Sequence, residues 1–131
     1  MKIRVRFAPS PTGPLHIGGL RTALYNYLYA KKHGGDFIMR IEDTDQRRLV
    51  KGSEDYIVDA LTWVGIELDE GGRKEGPFFP YNQSGRKKLY QKHVKQIVAE
   101  GKAYYAFDSD IDPQKLRDEG TRKGGAFLYS A

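Results

Sequence analysis

Three residues of this sequence have side chains and settings suited to chemistry: Arg6, His16 and Glu42. Arg6 closes an alternating apolar run (Ile3, Val5, Phe7), where an arginine fork matches a carboxylate. Glu42 ends a second apolar run, Phe37 to Ile41. His16 stands in Phe7–Gly19, FAPSPTGPLHIGG, where three prolines and three glycines crowd thirteen residues. An apolar stripe of helical spacing follows (Ile17, Leu20, Ala23, Leu24, Tyr27, Leu28), so the order is strand, stiff loop and helix mouth. Such a mouth directs unpaired backbone N–H groups and the positive dipole end into the loop, which suits phosphate or another anion. Gly18 and Gly19 would let a flat base or a triphosphate approach the backbone. A histidine beside two glycines is also what a capped loop looks like, and spacing alone leaves both readings open.

The elements that must place these residues follow from periodicity. The helix from about His16 runs to Lys32, with Lys31, Lys32 and His33 suited to its negative end and Gly34-Gly35 as its stop. A βαβ connection lays strand Phe37–Ile41 parallel to the first, so that Arg6 and Glu42 face one crevice at the carboxyl edge of the sheet. Opposite charges in one crevice suit an amino acid zwitterion; they are equally able to pair with each other. Helices are expected at Ser53–Val64, with Ser53 as N-cap, and from an N-cap at Ser84 to about Glu100, with Leu89, Tyr90, His93, Val94, Ile97 and Val98 inward. Trp63 is expected to pack at an element boundary. Ala103–Phe107 reads as a strand returning to the sheet, Asp112-Pro113 as the start of a short helix to Glu119, and Gly120–Ala131 as a turn and an incomplete strand.

RFAPSPTGPLHIGGLRTALYNYLYA followed by RIEDTD at Arg40–Asp45 resembles the front of the catalytic domain of class I aminoacyl-tRNA synthetases, in the glutamyl-tRNA synthetase family. The His-Ile-Gly-His signature of that class falls on His16–Gly19, with Gly19 in place of the second histidine. The resemblance implies an α/β fold: the first half of a Rossmann-type parallel-sheet domain over residues 1–102, then the start of an inserted acceptor-binding region over 103–131. It implies that Arg6 binds the side-chain carboxylate of L-glutamate and Glu42 its ammonium, with Ala8 and Ser10 lining the pocket. ATP, carried with Mg2+, would lie against Pro11, Thr12, Gly13, His16, Gly18 and Gly19, with His16 acting on the phosphoryl oxygens. Tyr81, Gln83, Ser84 and Arg86 match a Tyr-x-Gln-Ser-x-Arg stretch of the family and are expected to be structural supports. Some members hold a structural zinc after the following strand; with Ala106 and Asp108 in place of cysteines, zinc is not expected here. The implied partners are L-glutamate, ATP and tRNA(Glu), in a monomeric full-length enzyme several times longer than this chain. The chain reads as an amino-terminal piece, inactive alone.

Composition narrows the alternatives. A chain of 131 residues, 39% hydrophobic and 30% charged, can bury one ordinary core. No apolar run spans a bilayer and no signal-peptide pattern opens the chain, so a cytoplasmic location without a membrane partner is expected. With zero cysteines, neither disulfide nor thiolate metal site can form. The net charge of +5 is uneven: Lys and Arg outnumber acids nine to four over residues 1–50 and six to one over 84–102, around an acidic block with three against seven. Basic blocks suit a polyanion such as ATP or RNA, although Lys88, Lys92 and Lys95 read more simply as the solvated face of one helix. A glutamyl transferase acting on a modified tRNA base shares the pocket residues. A glutaminyl enzyme would carry Pro-Pro-Glu-Pro-Asn-Gly and Asp-Asp-Thr-Asn instead. A nucleotidyltransferase of another class, or a non-catalytic basic nucleotide-binding domain, would account for the glycines and the charge but not for RIEDTD.

Overall fold

The computed structural model describes residues 2–105. They form β1 (Arg4–Phe7), α1 (Ile17–Lys32), β2 (Asp36–Met39), α2 (Ser53–Trp63), a 3-10 turn (Ser84–Arg86) and α3 (Lys87–Ala99). β1 and β2 pair in parallel, Arg4 opposite Asp36 and Phe7 opposite Met39, with α1 as the crossover between them. This is the βαβ unit expected from the alternating runs and the glycine stop. β2 ends two residues earlier than expected; Ile41 instead makes an isolated parallel bridge to Asn82.

Parallel pairing continues past the strands on both sides. Arg40 N–H donates to the Phe7 carbonyl and Glu42 N–H to that of Pro9, each at 2.9 Å, so the loop after β1 runs alongside the stretch after β2. On the other edge Ile38 bridges Glu70, while Asp69 N–H donates to the Phe37 carbonyl. The Asp69 carboxylate takes the Phe37 N–H at 2.8 Å and faces Lys31 at 3.1 Å, fastening α1 to that edge.

The chain divides into residues 1–92 and 93–131. In the first unit Phe37, Met39, Ile41, Ile57, Leu61 and Ile66 are fully buried, with Ala23 and Ala30 of α1 against them. Small residues at those two positions let α1 lie close to the sheet, and Tyr27 meets Phe37 edge-on at 5.7 Å. α2 starts at Ser53, but Ser53 is not its cap: it is buried within the first turn, and the N-cap is Gly52, whose φ of +83° few residues with a side chain adopt. Trp63 is 88% exposed rather than packed. Ser84 opens a 3-10 turn instead of capping a long helix. α3 buries none of its residues; Leu89, His93, Val94 and Ile97 are exposed, against the inward stripe expected.

Ala103–Tyr105 forms no strand. The rest of that expected strand, the helix to Glu119, the final strand, and Ala106 and Asp108 lie outside the described residues. Among the described residues no helix is long and apolar enough to cross a membrane, and no group of three or more His, Asp or Glu is arranged to hold a metal.

Candidate functional site

His16 is the N-cap of α1. Its extended backbone (φ −95°, ψ 166°) turns the ring back on the helix, and Nδ1 accepts the Gly18 N–H at 3.1 Å. An accepting Nδ1 puts the proton of the neutral ring on Nε2. No acidic residue lies in the first turn, so the dipole's positive end is uncompensated from within the helix. A Cβ on Gly18 would come within 3.0 Å of His16 Cε1, and one on Gly19 within 2.8 Å of Leu15 Cδ1. The first of these glycines therefore makes room for the histidine ring itself, in addition to any ligand the sequence suggested.

In front of this mouth lies a cleft of about 380 Å³. Ser10, Thr12, Gly13, His16 and Gly19 line it, with Phe7, Pro9, Pro14, Leu15 and Ile57 making the apolar remainder. Gly13 has φ +148°, a value that turns the loop and disfavours a side chain there. Thr12 N–H donates to Ser10 O at 2.9 Å, and Val50 N–H to Pro11 O at 3.0 Å, so the loop is braced at both ends. Pro11 is buried and belongs to a neighbouring cleft of about 360 Å³, with Asp43, Lys51 and Glu54. Gly18 is exposed on the helix but absent from the lining, as are Arg6, Ala8 and Glu42. Ile57 of α2 is buried in the core and also forms part of the cleft wall; nothing in its spacing distinguishes the two roles.

Arg6 and Glu42 do meet at the sheet's carboxyl edge. Arg6 Nη1 lies 3.9 Å from Glu42 Oε1, with side chains 51% and 37% exposed. The pair is thus loose and open to solvent, with both groups retaining hydrogen-bonding capacity. Ala8, half-buried, and Ser10, exposed, lead from Arg6 toward the cleft.

Behind Glu42 the backbone is tightly held. Ile41 N–H donates to Tyr81 O at 3.0 Å and Gln83 N–H to Ile41 O at 2.8 Å. Asp43 is buried and takes the Ser84 N–H at 2.8 Å on one oxygen and the Ser84 hydroxyl on the other. Burial pushes its carboxyl up, but the Ser84 hydroxyl and N–H outweigh this and hold it below the usual carboxylate range. The other expected supports behave as such: Tyr81 is buried with its hydroxyl on Glu70, and Arg86 donates to the carbonyls of Pro80 and Phe78. Arg48 and Asp45 pair on the surface at 2.6 Å.

The site therefore offers a helix mouth with no acidic residue in its first turn, suited to an anion, beside a cation and an anion able to divide a zwitterion between them. Residues 2–126 match the family model described as the catalytic domain of class I tRNA synthetases (E and Q). The chain is 60% identical over 129 residues to the glutamate–tRNA ligase of Christiangramia forsetii, spanning 98% of this chain and 26% of that protein. It is 63% identical over 116 residues to that of Amoebophilus asiaticus, spanning 88% and 23%. A crystal structure of a glutamate tRNA ligase from Elizabethkingia meningosepticum, in complex with its amino acid, superposes with a TM-score of 0.83 at 52% identity, covering 98% of this chain and 26% of that one. The chain thus spans about a quarter of the length of the relatives it matches.

Proposed function

We propose that this chain, which belongs to the family of class I tRNA synthetase (E and Q) catalytic domains, carries the glutamate- and ATP-binding face of a glutamate–tRNA ligase. The fold agrees with the start of a Rossmann-type domain of that class, and the proposal extends to the division expected above: residues 1–102 as its first half, 103–131 as the beginning of an acceptor-binding insertion.

The reaction has two steps. The α-carboxylate of glutamate attacks the α-phosphorus of ATP, giving glutamyl-adenylate and pyrophosphate; a ribose hydroxyl at the tRNA end then takes the glutamyl group and releases AMP. A carboxylate is ionised at neutral pH, so the first step needs no general base. What it needs is alignment and stabilisation of charge on the phosphoryl oxygens. With Nδ1 engaged by the Gly18 N–H, the Nε2–H of His16 and the remaining N–H groups of the α1 mouth would be the donors to those oxygens. Thr12, Gly13 and Gly19 would border the nucleotide in the same cleft, with Pro11 behind the loop and Gly18 beside His16. Magnesium would enter on the triphosphate as part of the substrate. Arg6 would take the side-chain carboxylate of glutamate and Glu42 its ammonium, beside Ala8 and Ser10. The tRNA supplies the acceptor, and translation places the reaction in the cytoplasm.

The observation that carries this reading is the opposition of Arg6 and Glu42 at 3.9 Å, at one end of a parallel strand pair, beside the His16 cleft. Pyrophosphate exchange by a complete ligase carrying this sequence tests it. Exchange should depend on L-glutamate and be weak with L-glutamine; equal exchange with both amino acids would remove glutamate as the substrate.

A further inference from the structure

Glu42 sits on a segment held mainly by residues forty positions downstream. Its own N–H is tied to Pro9, the residue before it is hydrogen-bonded both ways by Tyr81 and Gln83, and the residue after it, Asp43, is bound through both carboxylate oxygens by Ser84. Gln46 Nε2 further fixes the Asp43 carbonyl at 2.6 Å. The two side chains differ in environment and in partner. Asp43 is buried, whereas Glu42 is more than a third exposed at the Arg6 edge. Asp43 is thus committed to Ser84 on the inner side, and that commitment fixes the backbone from which Glu42 projects.

We propose that Asp43 and Ser84 are positioning residues that aim Glu42 at the ammonium of the amino acid, without touching substrate themselves. The inference rests on the assignment of Glu42 to that ammonium. A side chain in a binding constellation has to be held within about half an ångström, and a displacement of about 1 Å at such a site can cost up to about 10²-fold. Loss of the Ser84 hydroxyl removes one of the donors to Asp43 and loosens, without breaking, the turn by which the downstream segment holds Glu42. Binding of glutamate should weaken, while the His16 cleft, on the other side of the Pro9–Pro11 loop and built from different residues, keeps its affinity for ATP.

The test compares Glu42→Ala, Asp43→Asn, Ser84→Ala and Ser84→Thr in a complete ligase carrying this sequence, by pyrophosphate exchange with separate KM values for glutamate and ATP. Asp43→Asn and Ser84→Ala should raise KM for glutamate about tenfold or more, with KM for ATP within about twofold. Ser84→Thr, which restores a hydroxyl at an exposed position, should recover most of the loss. If Asp43→Asn fails to fold, the Ser84→Ala and Ser84→Thr pair decides alone. Equal losses for both substrates, or no recovery in Ser84→Thr, would make the contact merely structural and overturn the proposal. If Glu42→Ala raises KM for glutamate and the Ser84 variants do not, the positioning role falls and the glutamate assignment stands. If Glu42→Ala itself leaves KM for glutamate unchanged, both fall.

Discussion

Arg4 and Glu70, 66 positions apart, meet through two N–H···O bonds of 2.5 and 2.8 Å, and the Tyr81 hydroxyl closes on the same carboxylate. Phe78 lies over the guanidinium at 4.7 Å. The contact ties the start of β1 to the aromatic loop, and through Glu70 O to Met39 N–H it also ties that loop to β2. Glu70 is 7% exposed, so its charge is stable there only because Arg4 and Tyr81 satisfy it.

This pair is expected to contribute to the acid limit of the fold. Arg4, and secondly Tyr81, outweigh burial and hold the Glu70 carboxyl below its ordinary value of 4.5. Asp43 and Asp69 are depressed in the same direction. A depressed folded-state value means that the stabilisation is complete at pH values above the unfolded one and drains away as pH falls through the folded one. Urea unfolding of the chain should therefore be unchanged between about pH 7 and 6 and weaken progressively below about pH 4.5. Glu70→Gln should lose about 1–3 kcal/mol at neutral pH, discounted for the partial exposure of Arg4, and the gap to the parent should close in acid. A gap independent of pH would show that the ionised contact is not its cause.

Period-two alternation and the glycine-proline punctuation carried β1, α1 and β2, because both report directly on backbone geometry. They carried the juxtaposition of Arg6 and Glu42 for the same reason, since two parallel strands must end on one edge. The serines were harder. Ser53 and Ser84 both have the residue type of an N-cap, yet Ser53 is buried one position inside its helix and Ser84 gives its hydroxyl to Asp43. Cap preference is local, whereas the Asp43 contact spans 41 positions and leaves no local mark. The stripe of α3 has the right period for a buried face, but periodicity does not say what covers it. Nor does it separate Ile57 as core from Ile57 as cleft wall.

Arg6 is expected to choose the amino acid. In a complete ligase, Arg6→Ala should reduce the preference for glutamate over uncharged amino acids by about 30-fold or more, since the substrate carboxylate loses its charged partner. Exchange rates with glutamate, glutamine and norvaline measure it. Retained selectivity would leave Arg6 and Glu42 as a simple ion pair.

His16 caps α1, and substitution can separate that role from the one proposed for its Nε2–H toward ATP. His16→Ala removes both the cap and the Nε2–H donor, and should destabilise α1 by about 0.5–2 kcal/mol while slowing adenylate formation by about 10²-fold. In His16→Asn the side-chain oxygen can still accept the Gly18 N–H, so stability should recover and the rate should not. Urea unfolding and single-turnover adenylate formation give the two readouts. Full recovery of the rate in His16→Asn would mean that capping is the whole contribution.

The 131-residue chain by itself should show no detectable glutamate-dependent pyrophosphate exchange and should self-associate. Among the described residues Ile17, Leu24, Tyr25, Leu28 and Tyr29 leave much of α1 apolar and exposed, and Phe78, Phe79 and Trp63 add further uncovered aromatic surface. Apolar area of this kind is ordinarily covered by another part of a protein or by a second copy. The described sheet has two named strands, and isolated bridges supply its remaining pairing. Sedimentation over a concentration series should show reversible association, reduced in Leu24→Glu/Leu28→Glu. Phosphate contacts from the basic residues should give RNA binding that falls steeply with salt and does not distinguish tRNA species, because such contacts position a polyanion without reading it. Measurable exchange by a monomeric sample would show instead that these 131 residues suffice for adenylate formation.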